Sequence, residues 1–258
     1  MSQITIELIK EFREKTGVSA MQCKRALEEA DGDFNKALAI LKKTSSDIAL
    51  KKSDRETKDG AVIIKSANDK MAMLVLNCET DFVAKSEDFT SLLPNLVEKI
   101  LSDGIEKTKE DAKNLINPVI QKTGENIQVG EVYLLEGNSL GGYVHSNKIG
   151  VMVSLEGGNS EIAKDIAMHV AAMKPEYIFP EEITEENKKI MLEIFEKEVA
   201  AINKPEEIKK KMLAGKIESY FKEKTLMNQP FIKNPNETIA QLLEKAKAKI
   251  KEIKRIAI

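Results

Sequence analysis

Few residues of this 258-residue chain could do bond-making chemistry, and their spacing argues against it. Cys78, Glu79 and Asp81 offer a thiol and two carboxylates, donors that a divalent metal accepts. They end an apolar run, Met71-Ala72-Met73-Leu74-Val75-Leu76, that reads as a buried strand. Adjacent strand residues point to opposite faces, so the three do not converge. The two histidines, His145 and His169, are far apart in sequence, and no Cys/His spacing suits zinc. His145 falls on a strand end, a place for a partner contact; His169 sits at the edge of a helical stripe, where a hydrogen-bonded packing role outweighs catalysis. Asp31-Gly32-Asp33 opens like a calcium loop, but Lys36 and Lys42 occupy the places of the required later Gly and Glu. No Gly-x-x-x-x-Gly-Lys-Ser/Thr is present to cradle a nucleotide phosphate. The expectation is a protein without catalytic residues, metal or cofactor, and so not an enzyme.

The stretch that remains is Thr80-Asp81-Phe82-Val83. It lies between the strand ending near Asn77 and a helix that Ser86 can cap, a junction of the kind at which scaffolds present functional groups. Phe82 has two readings: a ring presented to a partner, or a ring tucked under the helix as core. The pattern alone leaves both open.

The elements around it follow from periodicity. Residues 4–15, a segment opened by Ser19 and Gln22 as a capping box, and a segment capped by Asp33 read as three short helices, the first ending at Gly17. Residues 44–60 are polar and read as a linker with a short helix near 48–52. Strands at 61–66 and 71–77 form a hairpin turning at Asn68-Asp69. A strong helical stripe from Phe89 to Leu101 contains Pro94, which should kink it or break an early turn, and a second helix over 109–122 contains Pro118. Strands at 127–135, 140–145 and 149–155 read as a meander, followed by a helix over 160–173. Two amphipathic segments, 185–203 and 205–224, read as an antiparallel helical hairpin. Thr238 and Gln241 form another capping box, opening a helix to Lys249, and 251–258 reads as a last strand.

The 40 basic and 42 acidic residues nearly cancel, leaving a net charge of −2 and no basic face for nucleic acid. Cys23 and Cys78 lie in apolar patterns and read as reduced core residues. No apolar run approaches a membrane span and no apolar signal region opens the chain, so a cytoplasmic location without membrane partners is expected.

The Thr80-Asp81-Phe82-Val83 stretch resembles the Thr-Asp-Phe-Val loop of the elongation factor Ts family, the bacterial guanine-nucleotide exchange factors for elongation factor Tu. Further blocks are similar and stand in the family's order: Arg13-Glu14-Lys15-Thr16-Gly17, Cys23-Lys24-Arg25-Ala26-Leu27, Ile166-Ala167-Met168-His169-Val170-Ala171-Ala172 and Gln229-Pro230-Phe231. The resemblance implies an α+β architecture: a ubiquitin-associated-like three-helix module (1–43), a linker (44–60), a core of two α+β subdomains (61–138, and 139–183 with 228–258), and an inserted helical hairpin (184–227). It implies GDP-bound and nucleotide-free elongation factor Tu as partner, with Thr80, Asp81, Phe82 and Val83 dislodging the partner's magnesium. Met21, Lys24 and His145 match positions expected at the same interface, and the hairpin offers a route to a homodimer. Two departures stand out. Ala20-Met21-Gln22 replaces a Met-Met pair common in relatives, which weakens an apolar contact there. Arg255-Ile256-Ala257-Ile258 stands about where relatives carry Arg-Phe-Glu-Val-Gly, often followed by a further helix, so contacts from such a helix are not carried over. Two alternatives stand beside it: a ubiquitin-associated-type adaptor or interaction protein without exchange activity, and an α+β enzyme with an unrecognised site, against which stands the lack of any convergent polar constellation.

Overall fold

The computed structural model describes residues 4–258. Helices α1 (Ile6–Thr16), α2 (Ala20–Glu29) and α3 (Phe34–Lys52) form the N-terminal bundle. Its core is small, with Phe12, Cys23 and Leu27 fully buried, and the Phe12 and Phe34 rings meet edge to face at 5.0 Å. Capping follows the sequence signals in part. Asp33 accepts from the Asn35 and Lys36 amides, and this bonding holds its carboxyl below the usual value. The Ser19–Gln22 box closes on one side only: Ser19 accepts from the Gln22 amide, whereas Gln22 Oε1 is buried without a partner.

The linker expected over 44–60 is corrected, because α3 runs unbroken to Lys52. Its polar composition hides a packed face. Ser45 is buried with its hydroxyl bonded to the Lys42 carbonyl, and Ile48 and Ala49 pack against the core beneath the first sheet. That first sheet has the order β1 (Asp59–Ala67), β2 (Lys70–Cys78), β3 (Ile127–Glu136). β1 and β2 pair antiparallel with Val62 opposite Val75, closing through Asn68 in left-handed conformation at φ 55°. Four helices follow β2: α4 (Asp81–Ala84), α5 (Glu87–Thr90), α6 (Leu92–Asp103) and α7 (Ile105–Thr123). Pro94 falls in the first turn of α6, where its missing amide has no helical partner to lose, and the helix breaks just before it at Ser91. α6 lies on β1 and β2, and α7 packs against α3 and α6.

β4 (Ser139–His145), β5 (Ile149–Glu156) and β8 (Lys249–Ala257) form a second sheet in that order. The expected three-strand meander is therefore wrong in membership. β3 pairs with β2, and only β4 and β5 continue as neighbours, since strand pairing depends on distant partners that local alternation does not reveal. α8 (Ser160–Met173) packs so tightly on β4 that a Cβ at Gly141 would stand 2.0 Å from the Lys164 amide nitrogen. α9 (Glu185–Ala200) and α10 (Glu206–Lys224) form the antiparallel hairpin. A short ribbon not anticipated from the sequence, β6 (Pro230–Phe231) with β7 (Asn234–Thr238), precedes α11 (Ile239–Lys245). The Thr238–Gln241 box is complete, although α11 stops well before Lys249.

The chain divides into two compact units. One comprises residues up to Leu135 with 144–150 and 256–258; the other comprises Glu136–Tyr143 and Val151–Arg255. Among the described residues, no helix is long and apolar enough to cross a membrane.

Candidate functional site

The apolar face of β2 sets the site's position. Leu74, Leu76 and Cys78 are fully buried, which fixes the strand's end and delivers Thr80 to the surface. Thr80 is extended (φ −131°, ψ 157°) and caps α4, its Oγ1 accepting from the Val83 amide at 3.4 Å. A second cap follows at once, Ser86 Oγ accepting from the Phe89 amide at 3.3 Å. In one continuous helix Phe82 and Phe89, seven apart, would share a face. The break at Lys85 and Ser86 resets the phase. Phe89 becomes fully buried while Phe82 is 83% exposed. Of the two readings of Phe82, the ring tucked under the helix as core is ruled out by this exposure. Val83 points the other way and is buried with Ala84 in the core below the sheet, so it anchors the turn from inside.

The residues that looked like metal donors do three separate structural jobs. The Cys78 thiol donates to the Thr80 carbonyl at 3.2 Å. Burial first, then the Asp59 and Glu125 charges, push its pKa up to about 11, so it stays a neutral donor. Glu79 accepts from the Asn126 amide at 2.6 Å and approaches Arg55 at 3.4 Å. Asp81 pairs with Lys85 at 2.7 Å on the exposed face of α4, and this bond raises the Lys85 pKa. Among the described residues, no group of three or more His, Cys, Asp or Glu could hold a metal ion.

Sequence reasoning missed Glu125. Its Oε2 accepts from the Thr80 amide at 3.0 Å and the Glu79 amide at 3.2 Å, and its Oε1 accepts from the Thr80 hydroxyl at 2.7 Å. No local pattern links a residue 45 positions downstream to this turn.

Met21, Lys24 and His145 lie in the same compact unit as the loop. Met21 is 66% exposed on α2, an unusual place for a large apolar side chain, and Lys24 reaches Glu28 of its own helix at 3.7 Å. His145 is exposed at the end of β4, where Ser146 and Asn147 turn the chain in left-handed conformation. The Asn147 carbonyl accepts from the Val62 amide at 2.8 Å, which ties this tip to β1. His169 is fully buried; its Nδ1 accepts from the Ile232 amide at 3.2 Å, so its Nε2–H donates to Gln229 Oε1 at 2.9 Å. Its role is packing with both nitrogens satisfied. The loop as a whole offers an exposed apolar ring on a turn held by hydrogen bonds.

Two family models match the chain: "Elongation factor TS" over residues 79–258 and "UBA-like domain" over residues 6–41. Curated relatives named elongation factor Ts are similar over nearly its whole length. That of Thioalkalivibrio sulfidiphilus is 39% identical, covering 99% of this chain and 92% of the relative. That of Pseudomonas savastanoi is 38% identical, covering 97% and 89%, and that of Cellvibrio japonicus 38%, covering 100% and 91%. Likeness of this extent, running through both units and the N-terminal bundle, is enough to conclude that the chain belongs to the elongation factor Ts family of translation elongation factors.

Proposed function

We propose that this protein is a guanine-nucleotide exchange factor. In the cytoplasm it binds GDP-bound elongation factor Tu, promotes GDP release during the elongation cycle, and holds the nucleotide-free form. The observation that carries this reading is Phe82, a large apolar ring left 83% exposed on a turn whose every other anchor is fixed. No bond need be made or broken. A partner that prefers the nucleotide-free form weakens nucleotide binding by the same factor, through reciprocal linkage. Phe82 acts as a wedge that fills a pocket open only when the partner's magnesium- and phosphate-holding elements are displaced. Thr80 and Val83 hold the turn, and Asp81 brings its carboxylate toward the magnesium region. Burying one Phe contributes about 1.5–3 kcal/mol, roughly tenfold to a hundredfold in equilibrium. Met21, Lys24 and His145 supply further contact from the same unit.

Release of labelled GDP from elongation factor Tu, followed by stopped flow, tests the proposal. Micromolar protein should speed release. Phe82→Ala should slow the accelerated rate by about tenfold, as for an interface hot spot, with the unfolding midpoint nearly unchanged because the ring is already in water. Asp81→Asn should also stay folded and exchange slowly. A trace indifferent to the protein would favour the adaptor reading, and full activity in a folded Phe82→Ala variant would make the loop a mere corner.

A further inference from the structure

We propose that Glu125 is the positioning residue of the exchange loop, a carboxylate that templates the turn presenting Phe82. This rests on the exchange reading above. The Glu79 and Thr80 amides precede α4 (Asp81–Ala84), a single turn that has no helical bond to offer them. One carboxylate meets this need from outside the loop. Glu125 Oε2 takes the Glu79 and Thr80 amides together, and Oε1 takes the Thr80 hydroxyl hydrogen. That last bond fixes the hydroxyl's rotor so that its lone pair faces the Val83 amide. The two caps on α4 are thus in series: Glu125 orients Thr80, and Thr80 orients the turn from which Phe82 projects. Charge-assisted bonds of this kind are shorter and stronger than neutral ones.

Glu125 is itself held on a built corner. α7 ends at Gly124 in left-handed conformation, φ 76°, a geometry that strains any residue with a Cβ. The Gly124 carbonyl bonds Lys52 Nζ from α3, and the Glu125 amide donates to Thr123 Oγ1 at 3.3 Å. Asn126, almost wholly buried, donates to the carbonyls of Ser53 and Arg55 and gives its amide to Glu79. The corner after α7, the end of α3 and the end of β2 therefore converge on one turn. Glu125 touches no partner in this role. It acts through Thr80 and the direction of Phe82.

The test compares Glu125→Ala with Glu125→Gln in the full-length protein. Gln keeps an oxygen for the two amides and an NH2 that can donate to the Thr80 hydroxyl oxygen beside the Val83 amide, so it can hold the turn without the charge, with that one bond reversed in direction. Amide hydrogen exchange reads the tie without any partner. Glu125→Ala should raise the exchange rate of the Glu79 and Thr80 amides about tenfold or more, while amides of residues 71–76 keep their protection. Glu125→Gln should restore most of it. In the GDP-release assay, Glu125→Ala should slow the accelerated rate by about as much as Phe82→Ala, with Gln again close to wild type. Combining Glu125→Ala with Phe82→Ala should add little to the loss, since the carboxylate works through the ring. Unchanged Thr80 amide protection, or fully additive losses in the double variant, would overturn the proposal. Failure of the wild-type protein to speed GDP release would instead refute the exchange reading, with the amide measurement still reporting on Glu125.

Discussion

At the scale of single residues, two rings with distinctive sequence settings separate cleanly: Phe82 stands in water and His169 in the core. Burial lowers the His169 pKa, partly offset by the Gln229 hydrogen bond, and protonation at Nδ1 would remove the acceptor for the Ile232 amide. Gln229 in turn donates to the Glu223 carbonyl at 2.6 Å, so a charged ring would disturb a chain of bonds from α8 into α10. The linkage has a definite sign. A depressed histidine pKa means the unfolded chain takes up the proton first, so the histidine's contribution is full above about pH 6.5 and is lost as pH falls below it. Denaturant unfolding of wild type and His169→Gln should therefore give a stability difference that shrinks between pH 7 and pH 5. A constant difference would mean that His169 has the same pKa in the folded and the unfolded chain. The sequence placed His169 on its helix and marked Phe82 as special, because stripe spacing and junction position are local. It could not separate an outward Phe82 from an inward Phe89, since that depends on a single cap at Ser86. Glu125 left no trace at all, its contact being made only in the folded chain.

Elements show the same division between local and distant causes. Capping at Asp33, Ser86 and Thr238 was readable because a side chain and an amide two or three residues on decide it. The length of α3 was not, because Ile48 and Ala49 find their partners in another part of the chain. Glycine placement tests how these elements meet. Gly141 lies under α8, and an added Cβ would also stand 2.2 Å from the Ala163 carbonyl carbon. Backbone cannot rotate away as a side chain can, so Gly141→Ala must lift α8 from β4 and should cost about 1–3 kcal/mol. Gly215 is the opposite case. It is exposed inside α10, and a methyl group added there would have no atom within 4 Å. Gly215→Ala should therefore gain roughly 0.5–1 kcal/mol from helix propensity. Urea unfolding checks both signs. A neutral Gly141→Ala would show that the helix–strand contact is looser than its geometry.

For the whole molecule, the hairpin is the part whose removal is most informative. Its aromatic rings, Phe195, Tyr220 and Phe221, are engaged with one another and with Tyr177. Phe195 meets Tyr220 edge to face at 5.6 Å, Tyr220 meets Phe221 at 5.2 Å, and Phe221 meets Tyr177 at 6.4 Å, so these rings clasp α9 to α10 and close the hairpin's base. What faces water is aliphatic: Ile190, Ile194 and Ile208. Self-association through these exposed aliphatic side chains remains the quaternary proposal. The base supports clean excision. The Glu176 and Tyr177 amides bond the Lys224 carbonyl, at 2.9 and 3.1 Å, and the Leu226 amide bonds the Tyr177 carbonyl at 2.9 Å, so the entering and leaving strands already run side by side. Replacing residues 185–222 by a short Gly-Ser linker should leave a single cooperative thermal transition, because the hairpin buries its stripe chiefly on itself. Loss of cooperativity would show that the second unit needs the hairpin to fold. Sedimentation velocity on the same pair of proteins addresses assembly. If these aliphatic side chains join two copies, the full-length chain sediments as a dimer at concentrations where the excised one is a monomer. Identical behaviour of the two would remove the hairpin from any self-association and leave its exposed aliphatic side chains to a different partner.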